Sequence, residues 1–191
     1  MLVTKERITK ETSIRLELEI DGMGSYAIST GLGFFDHMLE SMAKHALWDL
    51  RLECQGDLHI DGHHTVEDVG IVLGQALAEA IYPMTPRERF GDALLVMDET
   101  LVQAALDLGG RSFFVYDVKL DGRIGEFDTE LVPEFFHALT SQARIALHLT
   151  KVRGHNRHHI VEALFKAFAV AMRRALRPLE RGGLPSTKGV I

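Results

Sequence analysis

Cysteine is nearly absent from this chain: Cys54 is the only one in 191 residues. An intramolecular disulfide is therefore excluded, and the absence of a signal-like N-terminus makes a reducing, cytoplasmic setting the expectation. Cys54 alternates with Leu50 and Leu52, the pattern of a small hydrophobe on the buried face of a strand. Long apolar runs are also missing, and none approaches the roughly 20 residues that a membrane-spanning helix needs. Positive charge is scattered, with 21 Lys and Arg against 27 Asp and Glu and a net charge of -6. A nucleic-acid or membrane-surface partner is not expected, while a local basic pocket for a small anion remains compatible. No Ser- or Pro-rich linker divides the chain. Its hydrophobic content of 46% and charged content of 25% suit a soluble globular protein.

Histidine, by contrast, is plentiful and clustered, with ten residues. The pattern His-His-x-x-Glu occurs twice, as His63-His64-Thr65-Val66-Glu67 and His158-His159-Ile160-Val161-Glu162. Each copy opens an amphipathic run. Residues four apart share a helix face, so His63 pairs with Glu67 and His158 with Glu162. His64 and His159 turn away by about 100°.

Hydrophobic period places these motifs in a duplicated frame. Ile14 to Ile20 alternates as a half-buried strand. Asp21 to Gly24 reads as a hairpin turn and Ser25 to Thr30 as its return strand. Helices are expected from about Phe35 to Leu47 and His64 to Tyr82, with strands at Leu50–Cys54 and Leu58–Ile60. In the second half, Ala93–Met97, Val102–Leu108, Ser112–Val118 and Leu147–Val152 read as strands. Glu130–Gln142 and His159–Leu176 read as helices. A shift of 95 residues carries His63, His64 and Glu67 onto His158, His159 and Glu162, and a shift of 97 carries His37 onto Glu134. The expectation is a single compact pseudo-symmetric α+β domain over 1–191, with half-repeats of about 1–86 and 87–191. Each half is a small sheet backed by two helices.

A single His-His-x-x-Glu is as readily a helix-capping pattern as a metal site. Two copies at equivalent repeat positions, each with a further candidate ligand about 25 residues upstream, favour metal. Imidazole and carboxylate without thiolate suit manganese, iron, zinc, cobalt or nickel, and a six-coordinate open site favours manganese or iron. The zinc-protease pattern His-Glu-x-x-His is absent. Gly31-Leu32-Gly33 is too incomplete for a dinucleotide-binding loop.

Several segments together resemble the imidazoleglycerol-phosphate dehydratase family over nearly the whole chain. They are Arg7-Ile8-Thr9-Lys10-Glu11-Thr12, Phe34-Phe35-Asp36-His37-Met38-Leu39, His63 to Asp68, Asp107-Leu108-Gly109-Gly110-Arg111, Gly154 to Ala167, and Pro185-Ser186-Thr187-Lys188-Gly189. The resemblance implies a duplicated four-stranded sheet with two helices per half, the ribosomal protein S5 domain 2-like fold with a pseudo-two-fold. It implies dehydration of imidazole glycerol phosphate to imidazole acetol phosphate in histidine biosynthesis. It further implies two Mn2+ ions per active site and a homo-oligomer of 24 subunits with sites at subunit interfaces.

The metal ligands it implies are His37, His63, His64, Glu67, Glu134, His158, His159 and Glu162. Glu134 stands where many members carry a histidine, and His137, one turn on, is the alternative. Glu11 is implied as the catalytic base and His45 as a residue of the substrate pocket. Arg89, Arg111, Lys166, Ser186, Thr187 and Lys188 match phosphate or substrate contacts. The chemistry is coherent. The carbon that loses hydrogen has no neighbouring carbonyl, and a cation on the imidazole nitrogen favours an imidazolate able to expel the ring-adjacent hydroxyl through a diazafulvene-like intermediate. The rival readings are a dinuclear metallohydrolase and a metal-assembled structural or storage protein.

Overall fold

In the computed structural model, which describes residues 1–82, 86–180, 183, 185 and 186, both halves build the same succession of elements. The first runs β1 (Leu2–Ile8), β2 (Thr12–Glu19), β3 (Tyr26–Ser29), α1 (Gly33–Ala46), β4 (Asp49–Gly56) and α2 (His63–Ile81). The second runs β5 (Phe90–Met97), β6 (Thr100–Asp107) and β7 (Phe113–Asp117), then a short hairpin of β8 (Arg123–Ile124) and β9 (Phe127–Asp128). It continues with α3 (Leu131–Ala143), β10 (Ala146–Arg153) and α4 (Arg157–Ala175). Each half forms a four-stranded sheet, in the orders β1-β2-β4-β3 and β5-β6-β10-β7. β3 and β7 run parallel to their neighbours; the other pairs in these sheets are antiparallel. The duplicated α+β arrangement is the one expected.

The period-two pattern makes each sheet one-faced. In β2, Ile14, Leu16 and Leu18 are buried while Ser13 and Arg15 face outward. The helices cover the inner faces, α1 packing on α4 and α2 on α3, so the helical layer lies between the two sheets. Phe35, Phe135, Phe136, Phe165 and Phe168 meet there with ring centroids 4.8 to 5.3 Å apart. Helices of opposite halves are thereby joined by the apolar term that dominates folding. The 97-residue shift holds in three dimensions. α1 and α3 both end on a left-handed residue, Leu47 (φ 60) and Arg144 (φ 54), themselves 97 apart, so Glu134 holds in α3 the position that His37 holds in α1. None of the described helices is long and apolar enough to cross a membrane.

Two local expectations need correction, and three strands were not expected. The segment after the Asp21–Gly24 turn does not return along β2. β2 already has β1 and β4 on its two edges, and the Asp49 carboxylate accepts from the Met23 and Ser25 N–H groups, both at 2.9 Å, tying the turn to the start of β4. β3 therefore pairs parallel with β4. Leu58–Ile60 is a turn closed by Ile60 N–H on the Asp57 carbonyl (2.8 Å), not a strand. β1 escaped the period-two reading because two of its inward positions are charged, Lys5 pairing with Glu79 and Arg7 with Asp68 on α2. The two-residue strands β8 and β9 are too short to leave a periodic signal.

Candidate active site

Helix spacing and the packing of α1 on α4 assemble one candidate ligand set from both halves. His37 is in the first turns of α1, while His158 and Glu162 are one turn apart at the start of α4. One ligand atom from each lies within 4.8 Å of the others, the one such group among the described residues. His158 Nε2 is 2.9 Å and His37 Nε2 3.6 Å from Glu162 Oε2. Phe34 sets its ring edge against His158, with centroids 5.3 Å apart, and Asn156 caps α4 by accepting from the His159 N–H. Burial pushes the Glu162 carboxyl upward, but hydrogen bonds from Lys166 and His158 and the charges of Lys166 and His37 outweigh it. Glu162 thus stays below the usual glutamate range. An ionised carboxylate beside two imidazoles suits a divalent cation.

The duplicate set closes less tightly. His63 Nε2 is 3.7 Å from Glu67 Oε2, and Glu134 does not join them in a comparable group. His137 is exposed, its ring near Phe114. The upstream residue thus meets the motif of the other half: His37 lies with His158 and Glu162, not with His63.

His64 and His159 face away from Glu67 and Glu162, as the helix angle requires. His64 Nδ1 is held 2.9 Å from Asp57 Oδ2, and His159 Nδ1 2.7 Å from Glu99 Oε2. These hydrogen bonds raise both imidazoles above their ordinary value. The bond from His159, with the Asn156 and His155 N–H groups, holds Glu99 well below the carboxylate range. Glu11 sits on the β1–β2 turn, half-exposed, with Oε1 3.8 Å from His64 Nε2. That turn is clamped to α2 by buried Asp68, which pairs with Arg7 and accepts from the Thr12 hydroxyl.

His45 lies two turns beyond His37. Burial lowers its imidazole, and the charges of Lys166 and Arg173 lower it further. Lys166 Nζ is 2.7 Å from Glu162 Oε1, beside the ligand set. Arg89 and Arg111 occupy a different corner. Asp107 grips the Arg89 guanidinium through two contacts of 2.7 and 3.0 Å, and a third nitrogen donates to the Pro185 carbonyl at 2.8 Å. Gly109 lies against that guanidinium, so the loop carrying exposed Arg111 and the segment reaching Ser186 converge there. Thr187 and Lys188 lie outside the described residues.

The chain as a whole has known relatives. The family model for imidazoleglycerol-phosphate dehydratase matches residues 30–172. Imidazoleglycerol-phosphate dehydratases of a Nitratiruptor species and of Campylobacter hominis are 57% and 58% identical over 190 residues, covering all of this chain and all of theirs. The chain belongs to the imidazoleglycerol-phosphate dehydratase family. Crystal structures of the Staphylococcus aureus and Pyrococcus furiosus dehydratases superpose with TM-scores of 0.86 and 0.83 at 38% and 36% identity. They cover 94% and 98% of this chain and 100% of each of theirs.

For a dehydratase of small substrates, the layout within one chain has a consequence. The 19 residues of α4 span roughly 27 Å at 1.5 Å per residue. His158 stands at its start, while Arg89 N–H bonds to the Ala175 carbonyl at its end. No small phosphate substrate bridges those ends. Sequence reasoning missed Asp57, Glu99 and Asp68 as supports of the site. Only Glu99 had a detectable signal, because a shift of 88 carries Glu11-Thr12 onto Glu99-Thr100.

Proposed function

We propose that the chain is the hydro-lyase that converts D-erythro-imidazole glycerol phosphate to imidazole acetol phosphate in L-histidine biosynthesis, working in the cytoplasm with manganese. Full-length identity to dehydratases supports the reaction. The observation that carries the metal dependence is the His37–His158–Glu162 set, whose imidazole and carboxylate donors fit a divalent cation. These three would hold one ion of a pair; Glu134, His63 and Glu67 would hold the other, and His64 and His159 would complete the coordination. Bound manganese would supply positive charge at the substrate imidazole and so favour its deprotonated form.

The chain's own groups do the rest. Arg89, Arg111, Lys166, Ser186, Thr187 and Lys188 would hold the phosphate with forked and point charges. His45, its imidazole lowered by burial and by the charges of Lys166 and Arg173, would line the pocket. Electron push from the deprotonated ring would expel the ring-adjacent hydroxyl first, and Glu11 would then take the proton from the neighbouring substrate carbon. The C–H electron pair becomes the C=C bond of an enol, the hydroxyl departs with a proton as water, and the enol becomes the ketone. Separation of the Arg89 corner from the His158 end favours active sites at subunit interfaces, in a homo-oligomer for which 24 subunits is the family expectation.

The decisive experiment is turnover by metal-stripped protein with manganese added back. Product is expected only after manganese; equal turnover without metal would remove the metal from the reading. The metallohydrolase alternative predicts release of inorganic phosphate from the same substrate, and the storage alternative predicts metal uptake without turnover. Glu11→Gln should keep metal content and lose most activity. Wild-type turnover by that variant would exclude Glu11 as the base.

A further inference from the structure

The repeat that carries the histidines also carries an acid. A shift of 88 residues lays Glu11-Thr12 on Glu99-Thr100. The register is structural, since Thr12 opens β2 and Thr100 opens β6, and both threonines are buried. Glu11 and Glu99 are therefore duplicates on equivalent turns, each beside the second histidine of a motif.

Their contacts have diverged. Glu99 Oε2 holds His159 Nδ1 at 2.7 Å, and its Oε1 accepts from the His155 and Asn156 N–H groups and the Thr100 hydroxyl at 3.1, 2.9 and 3.0 Å. Its oxygens thus hold one ring, the turn that starts α4 and the Thr100 hydroxyl at the head of β6, while the far nitrogen of that ring, Nε2, lies 3.6 Å from exposed Asp98 Oδ2. Glu11 instead faces the other nitrogen of its histidine, 3.8 Å from His64 Nε2, with its side chain 54% exposed. His64 Nδ1 is taken by Asp57, which comes from the β4–α2 connection and has no equivalent in the second half. Asp57 is only 12% exposed, and its other oxygen is buried without a partner, so His64 is the contact that Asp57 keeps.

A carboxylate on Nδ1 orients the ring and favours the tautomer with hydrogen on Nδ1, which leaves the Nε2 lone pair for a metal ion. We propose that Glu99 and Asp57 are positioning residues for His159 and His64, and that Asp57, by taking over this task in the first half, leaves Glu11 able to act on substrate. The inference rests on the metal-dependent dehydratase reading and adds a division of labour between two copies of one ancestral glutamate.

The test compares Glu99→Gln, Asp57→Asn and Glu11→Gln in the full-length protein. Manganese binding is followed by the EPR signal of unbound Mn2+, and turnover is measured against manganese concentration. Glu99→Gln and Asp57→Asn should weaken binding of part of the manganese by about 10- to 100-fold, the usual effect of removing an outer carboxylate. Turnover should largely return at saturating metal, and Glu99→Asp should recover part of the affinity. Glu11→Gln should bind manganese as wild type does and lose turnover by about 10²- to 10⁴-fold at any metal concentration. Wild-type affinity in Glu99→Gln or Asp57→Asn would overturn the positioning role, and weakened binding in Glu11→Gln would overturn the division. A wild-type protein that binds no manganese would instead overturn the metal reading and this inference with it. Should the variants not fold, nitrogen NMR of metal-free wild type decides: neutral His159 and His64 rings with hydrogen on Nδ1 support the proposal, and hydrogen on Nε2 sinks it.

Discussion

Replacing Gly91 by alanine should destabilise this protein by about 2 kcal/mol or more and disturb metal binding at a distance. Gly91 lies in β5 beneath α4, and a Cβ built there would sit 2.0 Å from the Ala171 carbonyl oxygen and 2.9 Å from the Ala171 carbonyl carbon and the Ala175 nitrogen. All three are helix backbone and cannot rotate aside, so α4 must move off the sheet by an ångström or more. Overpacking of this kind costs typically 1–3 kcal/mol, and immovable neighbours place it at the upper end. Against this stands about 0.5–1 kcal/mol gained by removing a glycine from a strand. For a chain of this size each kcal/mol shifts Tm by roughly 2–4 °C, so a fall of about 4–8 °C is expected. The assay is thermal unfolding of metal-free protein by circular dichroism at fixed protein concentration, since association shifts apparent stability. Because α4 carries His158, His159 and Glu162, manganese affinity should fall as well. An alanine variant that melts at or above the wild-type temperature would show that α4 does not approach the sheet as closely as described.

Three further outcomes follow from the same geometry. Cys54 is buried and its thiol is pushed up from 9.0 to about 11, which makes thiolate about 100-fold scarcer; an aromatic disulfide reagent should label it only after denaturation, and rapid native labelling would contradict its burial. His45 has a folded value below 6.5, so below pH 6.5 the unfolded chain binds more protons and stability falls with pH down to the folded value. Urea midpoints on either side of pH 6.5 should show this slope, and His45→Gln should reduce it; an unchanged slope would assign it to other groups. Glu134→Ala should lower occupancy of one ion of the pair by at least tenfold, about the scale of losing a supporting ligand. Full occupancy by elemental analysis would transfer the ligand role to His137 or elsewhere.

The doubled motif was legible because helix geometry is local. His158 and Glu162 must share a face wherever the helix goes, and His159 must leave it. The alternation of Ile14, Leu16 and Leu18 marked β2 for the same reason. β1 was hidden because Lys5 and Arg7 point inward to Glu79 and Asp68, contacts that no one-dimensional hydrophobic pattern records. The β3 pairing was misread because a turn of Asp and Gly signals only a reversal, not which edge is vacant.

By itself, then, the sequence determined the duplicated α+β plan and the two helix-borne His/Glu pairs, which follow from periodicity and repeated spacing, while the family was read from the resemblance of whole segments. Tertiary structure alone decided which groups meet. α1 packs on α4, so His37 meets His158 and Glu162 of the opposite half. Asp57 and Glu99, from loops of unrelated spacing, close on His64 and His159. Partnership across halves depends on which apolar faces bury one another, a long-range choice that no local pattern encodes.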